Sequence, residues 1–441
     1  MVEGREARRG QRGPGSRLTG EMNPDCLRIL CLARLPPSPP SFGAQQRIHG
    51  LMSALAGHHD ITGVTLVSPD VDRARVELAM GRYCRQVVLI PFPRWQGIAR
   101  RAAQARSLVS EQSFERRFFD RRALRHALRG LLRAQPFDIV DVEFPFLAHY
   151  PFDQVVPGGR RPLRVLGEHN IEFDLARQQM SEEHGLLRRV HNAANWPKLQ
   201  REEVQAFRTF DGVTFCSEAD ERRARGLVPS LHSVVVPNAV DVEHFRPATH
   251  LPSSDGQTVM FFGALNYFPN VDGVLYLVRE IWPLLERSHP RARLKIVGPY
   301  ANPRILRLQG PRIEVTGQVD DLRPHLASAA VTVVPLRIGG GTRFKILEAM
   351  AMARPVVSTS LGAEGIDAQA GVDLLIADEP PAFAREVVRA LDDQALAAQL
   401  GSRGRALVEA RYTWKVSAHR LEWFFQELVE GQRGRRPSIA V

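Results

Sequence analysis

The residues whose types and spacing most clearly suggest chemistry are three consecutive glycines, Gly339, Gly340 and Gly341, which follow an apolar run at 331–336. Helical spacing begins near Thr342, so the glycines stand between a buried strand and the first turn of a helix. Glycine lets the backbone approach a ligand closely, and the free amides of a helix N-terminus attract anions. The pattern predicts that Gly340, Gly341 and Thr342 contact a diphosphate.

Two basic residues and one acidic residue follow the glycines. Arg343 and Lys345 lie in the first helical turn, where charge-assisted hydrogen bonds to phosphate oxygens are strong. Glu348 shares a flank of the helix with Lys345, because the two are three residues apart. A carboxylate repels phosphate but accepts hydrogen bonds from sugar hydroxyls. The helix is therefore predicted to bind the diphosphate and ribose of a nucleotide; the alternative is a glycine-rich loop beside a solvated Lys–Glu pair.

Two other nucleotide-binding patterns are absent from the sequence. The P-loop pattern GxxxxGK[ST] does not occur, which argues against an ATPase. No GxGxxG follows the first apolar run either, since residues 35–40 read LPPSPP. A dinucleotide-dependent oxidoreductase is disfavoured for that reason.

The elements that must position these residues are short β-branched runs separated by helical stretches. Such runs recur between Leu27 and Asn238, and a second series occupies 259–378. Near-continuous apolar strands that alternate with helices indicate parallel sheets covered on both faces. The predicted fold class is α/β, with two doubly wound, Rossmann-like domains. The cleft between them is the expected ligand site.

The chain length of 441 residues suits two domains of roughly 200 residues each. A turn-rich segment followed by linker-like composition marks their boundary. The predicted divisions are a disordered basic tail at 1–24, an N-terminal domain at 25–237, a linker at 238–257, a C-terminal domain at 258–411, a closing helix at 412–430 and a tail at 431–441.

Composition narrows the function classes. The formal net charge is +11, but four of the 59 basic residues are lysine, which is typical of a GC-rich coding bias. No nucleic-acid-binding motif occurs, and nucleic acid is disfavoured as a partner. The four cysteines lack metal-ligand spacing, no apolar run is long enough to span a bilayer, and residues 1–20 lack the apolar core of a signal peptide. We therefore expect a cytoplasmic protein with no metal site.

Two segments resemble a known family. Residues 234–247 (VVVPNAVDVEHFRP) and 341–366 (GTRFKILEAMAMARPVVSTSLGAEGI) resemble the retaining glycosyltransferases of family 4, also called group 1. The resemblance covers nearly all of 27–430, and it is closer to members associated with exopolysaccharide or cell-envelope glycan assembly. It implies the GT-B fold, with an acceptor-side N-terminal domain, a C-terminal domain that binds the nucleotide sugar, and a closing helix that crosses back to the N-terminal domain.

The family's donor-site roles carry over in part. Glu348 matches the acid that binds the donor ribose, at the end of the family's Glu-x7-Glu motif. Gly340 stands where the first Glu of that motif contacts the sugar. The family's Arg–Lys pair after the first strand of the C-terminal domain is also missing, because residues 263–270 read GALNYFPN. We infer that Arg343 and Lys345 bind the diphosphate instead.

Three further positions gain roles from the resemblance. Gly43 lies in a segment similar to the glycine loop that approaches the sugar and phosphate. Gly317 and Val319 lie in IEVTGQV, which is similar to the segment whose backbone contacts the nucleobase. His169 resembles the family's cleft histidine, which would bond the donor sugar or the acceptor hydroxyl; a structural histidine at a strand end is the alternative.

The activity implied by the resemblance is transfer of a sugar from a nucleotide-sugar donor to a hydroxyl of a glycan or lipid-linked acceptor. Anomeric configuration would be retained without a metal, and no cofactor is expected because the nucleotide sugar is a substrate. Gly340 keeps a second hypothesis open, a catalytically silent nucleotide-sugar-binding homologue. A UDP-sugar epimerase on the same fold is disfavoured by the linker and the glycine loop.

A basic stretch at 96–134 suggests a surface function. It contains ten arginines against three acids, and Arg117, Arg121, Arg125 and Arg129 recur every four residues. One helix with this spacing would present a basic stripe. The stripe is either a solvated face or a peripheral contact with anionic lipid, which would suit a lipid-linked acceptor.

Overall fold

A computed structural model describes residues 26–40, 43–93, 97–152, 161–181 and 186–434. The predicted tail at 1–24 and the last part of the predicted tail at 431–441 lie outside these residues. None of the helices in the described ranges combines the length and the apolar character needed to cross a bilayer.

Parallel strands and helices alternate along the described chain. The strands are β1 (Arg28–Ala33), β2 (Asp60–Val67), β3 (Gln86–Pro91), β4 (Ile139–Glu143), β5 (Leu163–Gly167), β6 (Gly212–Phe215), β7 (Ser233–Val235), β8 (Thr258–Phe262), β9 (Arg293–Val297), β10 (Ile313–Gly317), β11 (Val331–Val334), β12 (Val356–Ser358) and β13 (Leu375–Ile376). The helices of the first half are α1 (Gly43–Leu55), α2 (Arg73–Met80), α3 (Ile98–Leu108), α4 (Phe114–Phe119), α5 (Arg122–Ala134), α6 (Glu172–Ser181), α7 (Leu186–Thr209) and α8 (Glu218–Leu227). Those of the second half are α9 (Phe268–Tyr276), α10 (Trp282–Ser288), α11 (Pro303–Leu306), α12 (Arg323–Ser328), α13 (Phe344–Ala351), α14 (Pro380–Asp392), α15 (Gln394–Arg411) and α16 (Trp414–Arg433).

The first sheet has seven parallel strands in the order β3-β2-β1-β4-β5-β6-β7. Strands β4 and β6 are buried at every position, as expected where helices cover both faces. The order reverses between β1 and β4, which places a topological switch point at the carboxyl end of β1. One doubly wound domain is therefore built from the first half of the chain.

The second sheet has six parallel strands in the order β10-β9-β8-β11-β12-β13. Its central strand β8 is wholly buried, and the order reverses between β8 and β11. A separate hydrophobic core surrounds this sheet and includes Trp282 and Phe383. The prediction of an α/β fold with two doubly wound sheets is confirmed.

Helix α16 belongs to the second half of the sequence but packs on the first domain. Phe424 and Leu428 approach Gly212 of β6 so closely that a Cβ there would lie 2.6 Å from the Phe424 ring. The Trp414 ring covers Gly50 of α1, where a Cβ would overlap it. The end of the chain thus joins the first core.

The basic stretch is divided between helices. Helix α4 ends at Phe119, and Asp120 and Arg121 adopt extended backbone before α5 begins. The Tyr150 hydroxyl donates to the Phe119 carbonyl at 2.7 Å and accepts the Arg121 amide at 2.7 Å. Because one hydroxyl satisfies both backbone groups, the chain can leave the helix here without unpaired polar atoms.

The predicted single basic stripe was wrong for this reason. Arg117 lies on α4, whereas Arg125 lies on α5 and pairs with Asp120 at 2.5 Å. Arg121 stands in the break, with its guanidinium 4.9 Å from the centroid of the Phe92 ring. The exposed arginines of α5 are Arg122, Arg129 and Arg133.

Candidate active site

The glycine loop between β11 and α13 lies against the N-terminal domain. The Gly339 amide donates to Gln178 Oε1 at 2.8 Å, and the Gly341 amide donates to Asp220 Oδ2 at 3.2 Å. Gly341 has φ 69°, and a Cβ on it would lie 2.7 Å from the His169 carbonyl oxygen. Glycine is required here, because only glycine combines this backbone with so close an approach.

Thr342 extends this interdomain contact. Its hydroxyl donates to the Cys216 carbonyl at 2.7 Å, and its own carbonyl accepts the Asn238 side-chain amide at 2.9 Å. Three residues of the loop are thus bonded to the opposite domain. The structure brings the predicted loop residues to the cleft, where the two amides named above already have protein partners.

Gly340 occupies the position of the family's first glutamate. A Cβ at this position would lie 3.4 Å from the side-chain amide of Asn170 and 3.8 Å from Asp220 Oδ1. These are ordinary van der Waals distances for a Cβ, so a side chain at this position would lie against these two groups of the N-terminal domain. The Asp220 carboxylate therefore stands beside the point from which the family's carboxylate would project.

Arg343 precedes the first residue of α13 and folds back on the loop. Its guanidinium donates to the carbonyl groups of Gly340 and Gly341, and to that of Leu361 at 3.3 Å. Burial lowers its pKa. In this arrangement the Arg343 side chain stabilises the loop conformation.

Lys345 points toward the carboxyl end of β8. Its Nζ donates to Asn270 Oδ1 at 2.6 Å and lies 4.1 Å from the centroid of the Phe261 ring. Burial, and then the charge of Arg343, lowers its pKa to about 7. Among the described residues no carboxylate lies within ion-pair distance of this ammonium group, so it is able to meet an anionic ligand.

Glu348 is buried and contacts the other domain. Its Oε1 accepts the Gln46 side-chain amide at 3.0 Å. Burial raises its pKa to about 7, against the opposing effects of Gln46 and Lys345. A carboxylate with remaining acceptor capacity at this depth suits a ligand that brings hydroxyl groups.

Two helix N-termini meet at this point of the cleft. Helix α1 begins at Gly43, where a Cβ would lie 3.0 Å from the Phe344 ring at the start of α13. Each N-terminus carries a partial positive charge and free amides. Gly43, Lys345 and Glu348 are therefore brought together from two domains, around a place with positive potential.

The carboxyl ends of β8, β9 and β10 form a compact backbone surface beside Lys345. A Cβ on Gly298 would lie 1.9 Å from the Gly263 carbonyl oxygen, and the Gly298 amide donates to the Gly317 carbonyl at 3.0 Å. Gly317 has φ 71°, and Val319 packs against the second core. The predicted nucleobase segment thus lies at the same sheet edge as Lys345.

His169 lies deeper in the N-terminal domain. Its Nε2 is 2.6 Å from Glu143 Oε2, and its ring stacks on Phe144 with centroids 4.0 Å apart. Burial lowers the pKa of His169 well below its usual range and raises that of Glu143 to about 7. Both shifts favour a pair without net charge, and the His169 carbonyl lies against Gly341.

One cluster in the described part of the chain has metal-ligand chemistry. Cys31, Asp141 and Glu143 each bring one ligand atom to within 4.8 Å of the others. Cys31 and Asp141 are register partners of β1 and β4, and burial raises the pKa of Asp141 strongly. The cluster belongs to the N-terminal sheet, and its Glu143 is the partner of His169.

Sequence reasoning missed the partners that hold the predicted residues. Gln46 and Asn270 are neutral amides, and their bonds to Glu348 and Lys345 join residues far apart in sequence. Glu143 ends a buried apolar strand, where an acidic residue is unusual. The segment GALNYFPN ends at Asn270 and departs from the family pattern, and this departure was the signal in the sequence that could have drawn attention to Asn270.

Comparison with known proteins bears on the family and the fold. Residues 256–393 match the family described as glycosyl transferases group 1. A GDP-mannose-dependent monoacylated alpha-(1-6)-phosphatidylinositol monomannoside mannosyltransferase of Corynebacterium glutamicum is 26% identical over 236 residues, covering 48% of this chain and 61% of that protein. An uncharacterised 44.6 kDa protein from the cps region of Klebsiella pneumoniae is 21% identical over 374 residues, covering 82% and 90%.

Solved structures share the fold over nearly the whole chain. Sucrose-phosphate synthase from Thermosynechococcus elongatus has a TM-score of 0.70 at 17% identity, covering 92% of this chain and 100% of that one. HepE of Anabaena, in complex with UDP-glucose, has a TM-score of 0.60 at 16% identity, with the same coverage. The chain therefore has the GT-B fold of two facing Rossmann-like domains and carries a glycosyl transferases group 1 domain at residues 256–393.

Proposed function

We propose that the protein is a retaining glycosyltransferase, which transfers a sugar from a nucleotide-sugar donor to a hydroxyl of a glycan or lipid-linked acceptor. The observation that carries this proposal is the convergence of Lys345, Glu348 and Gly43 where two helix N-termini meet. An enclosed ammonium group suits a diphosphate and a buried carboxylate suits a ribose. One similar protein is GDP-mannose-dependent by name, and another was solved in complex with UDP-glucose. Both names support a nucleotide sugar as the donor, and they differ in the nucleobase.

The chemistry follows from where charge develops. When the sugar–phosphate bond breaks, negative charge grows on the departing diphosphate, and preorganised positive groups stabilise that charge most effectively. Lys345 and the amides that begin α1 and α13 are such groups. We propose that they suffice without a metal, and that the leaving phosphate oxygen helps to deprotonate the acceptor on the same face of the sugar. His169 is proposed to bond the sugar or the acceptor hydroxyl.

Glu348→Gln is expected to lose the thermal stabilisation that a nucleotide gives the wild type. A ligand at about 100 times its dissociation constant stabilises the folded state by about 2.7 kcal/mol. Thermal denaturation with UDP, GDP, ADP and their sugar conjugates measures this and names the base. Glu280→Gln, which alters an exposed acid between α9 and α10, is the matched control and should behave as wild type.

The outcomes separate the candidate functions. A shift with one nucleotide that Glu348→Gln abolishes supports the ribose role, and release of nucleoside diphosphate from the matching nucleotide sugar supports transfer. A shift without any turnover supports the catalytically silent homologue, which Gly340 in place of the family's glutamate favours. An equal shift in wild type and Glu348→Gln would contradict the assignment of Glu348.

We propose a peripheral contact with anionic membrane through five exposed arginines of the N-terminal domain. These are Arg101 and Arg106 on α3, and Arg122, Arg129 and Arg133 on α5. Each base near an anionic surface contributes about 1 kcal/mol, so replacing the three on α5 by Gln should weaken vesicle binding by about 10²-fold. Exposed Leu108 and Val109 at the end of α3 add an apolar contact.

Co-sedimentation with phosphatidylcholine vesicles, with and without phosphatidylserine, checks this contact. The control is the triple replacement by Gln of exposed arginines in the C-terminal domain, Arg287, Arg385 and Arg403. Binding that requires phosphatidylserine and fails only in the α5 variant supports the contact. Binding that does not depend on phosphatidylserine, or that both variants retain, would contradict the proposed membrane contact.

A further inference from the structure

Arg34 lies where an open α/β sheet binds its ligands, yet none of the roles described above uses it. It follows β1 directly, at the switch point where the order of the first sheet reverses between β1 and β4. Ligands of such sheets bind outside the carboxyl ends of the strands at this point. The position is therefore on the cleft side of the N-terminal domain.

The Arg34 guanidinium is held by stacking on an aromatic ring. It lies 4.2 Å from the centroid of Phe144, whose ring also stacks on His169. Phe144 has φ 83°, a conformation that a bulky residue rarely adopts. Such backbone persists where the surroundings impose it, and it is frequent at ligand sites.

The Arg34 side chain is half-buried, and its Nε lacks a partner within the described part of the chain. This nitrogen is enclosed, and no acceptor of the described residues lies within hydrogen-bond distance of it. No carboxylate within the described ranges forms an ion pair with it. Burial lowers the pKa of Arg34, against the opposing charges of Glu172 and Tyr267. Because the enclosed Nε–H has no acceptor among the described residues and the guanidinium is partly removed from solvent, an anion that bound here would be stabilised.

The surroundings of Arg34 come from both domains. Glu172 begins α6 of the N-terminal domain, and Tyr267 precedes α9 of the C-terminal domain. The charges of Arg343 and Arg34 both act on Tyr267. Arg34 belongs to the N-terminal domain, whereas Lys345 approaches the proposed diphosphate position from the C-terminal domain.

We propose that Arg34 binds an anionic group, a phosphate or a carboxylate, carried by one of the two sugar substrates, and so selects an acidic substrate over a neutral one. This inference rests on the proposed glycosyl transfer. The location in the N-terminal domain favours the acceptor as the source of the anion. Five N–H groups in a planar fork match the oxygens of either anion.

The test compares the wild type with Arg34→Met, which keeps apolar contact with Phe144 but removes the charge. Inorganic phosphate is titrated at constant ionic strength into protein saturated with the nucleoside diphosphate that stabilises it, so that the diphosphate site is filled. Arg34→Met is expected to lose phosphate affinity about tenfold or more while it keeps its nucleotide shift. Arg34→Lys should retain part of the affinity, and the exposed Arg82→Met should retain all of it.

Two further arms identify the source of the anion. Comparing the binding of glucose 6-phosphate with that of glucose tests for an acidic acceptor. Comparing the binding of UDP-glucuronate with that of UDP-glucose tests for an acidic donor. A loss confined to the acidic member of either pair in Arg34→Met supports the proposal. Equal phosphate affinity in wild type and Arg34→Met would overturn the role of Arg34. So would a nucleotide shift in both proteins without phosphate binding in either. Neither result would contradict the proposed glycosyl transfer. Absence of any nucleotide shift speaks instead against the proposed function, and the phosphate comparison of the two proteins still decides the role of Arg34.

Discussion

Lys345→Met is expected to reduce turnover of the nucleotide sugar by about 10²-fold or more, the usual effect of removing one preorganised group that stabilises developing negative charge. Methionine keeps the apolar contact with Phe261 and leaves Asn270 without its donor. The folded protein should lose little thermal stability, because within the described residues no carboxylate forms an ion pair with the buried ammonium group that is removed. Steady-state release of nucleoside diphosphate, together with a melting curve, measures both effects.

The pH dependence of donor binding distinguishes a charge effect from a packing effect. In the free protein the pKa of Lys345 is about 7, and a diphosphate favours the protonated form. Donor affinity should therefore fall by up to about tenfold per pH unit above about 7. Lys345→Met should remove this dependence, whereas Lys295→Met, which alters a lysine paired with Glu314, should retain it. Full turnover in Lys345→Met, or an unchanged alkaline limb, would refute the assignment.

Gly298→Ala is expected to lower the free energy of unfolding of the C-terminal domain by about 3 kcal/mol, which is the upper range for overpacking. The added Cβ would lie 1.9 Å from the Gly263 carbonyl oxygen. Backbone cannot rotate away as a flexible side chain can, so the ends of β8 and β9 must separate. Because Lys345 lies over the end of β8, nucleotide binding should weaken in the same variant.

Thermal and denaturant unfolding of Gly298→Ala measure the stability change, and nucleotide titration measures the binding change. Gly130→Ala on α5 is the control, since among the described residues no atom outside its own stretch of helix lies within 4 Å of its Cβ position. That variant should be as stable as the wild type or slightly more stable, because alanine is the better helix former. A Gly298→Ala protein with wild-type stability would show that the two strand ends tolerate separation.

The glycine loop joins the two domains in this arrangement. Its Gly339 and Gly341 amides and its Thr342 hydroxyl are bonded to residues of the N-terminal domain, and Arg343 braces its carbonyl groups. The sequence predicted a phosphate cradle from the same residues. Joining the domains and binding a diphosphate both use the conformational freedom of glycine, but they direct the loop amides to different partners. The diphosphate role of Arg343 and of the loop therefore stays a prediction.

The sequence by itself determined the fold class and the candidate residues of α13. Buried parallel strands read as continuous apolar runs, and the 3.6-residue period places Lys345 and Glu348 on one flank, because both signals are local. Local patterns also misled at 96–134, where the four-residue recurrence of arginine suggested one helix. The long-range hydroxyl of Tyr150 holds a break that helical spacing does not reveal.

Tertiary structure alone decided which groups meet the predicted residues. Gln46 reaches Glu348 across about 300 residues of sequence, and Asn270 reaches Lys345 from helix α9. The stacking of Arg34 on Phe144, and the surroundings that lower the pKa of Lys345, depend on the packing of elements distant in the chain. Hydrogen-bond partners, burial and pKa shifts are properties of that packing, and no periodicity in the sequence encodes them.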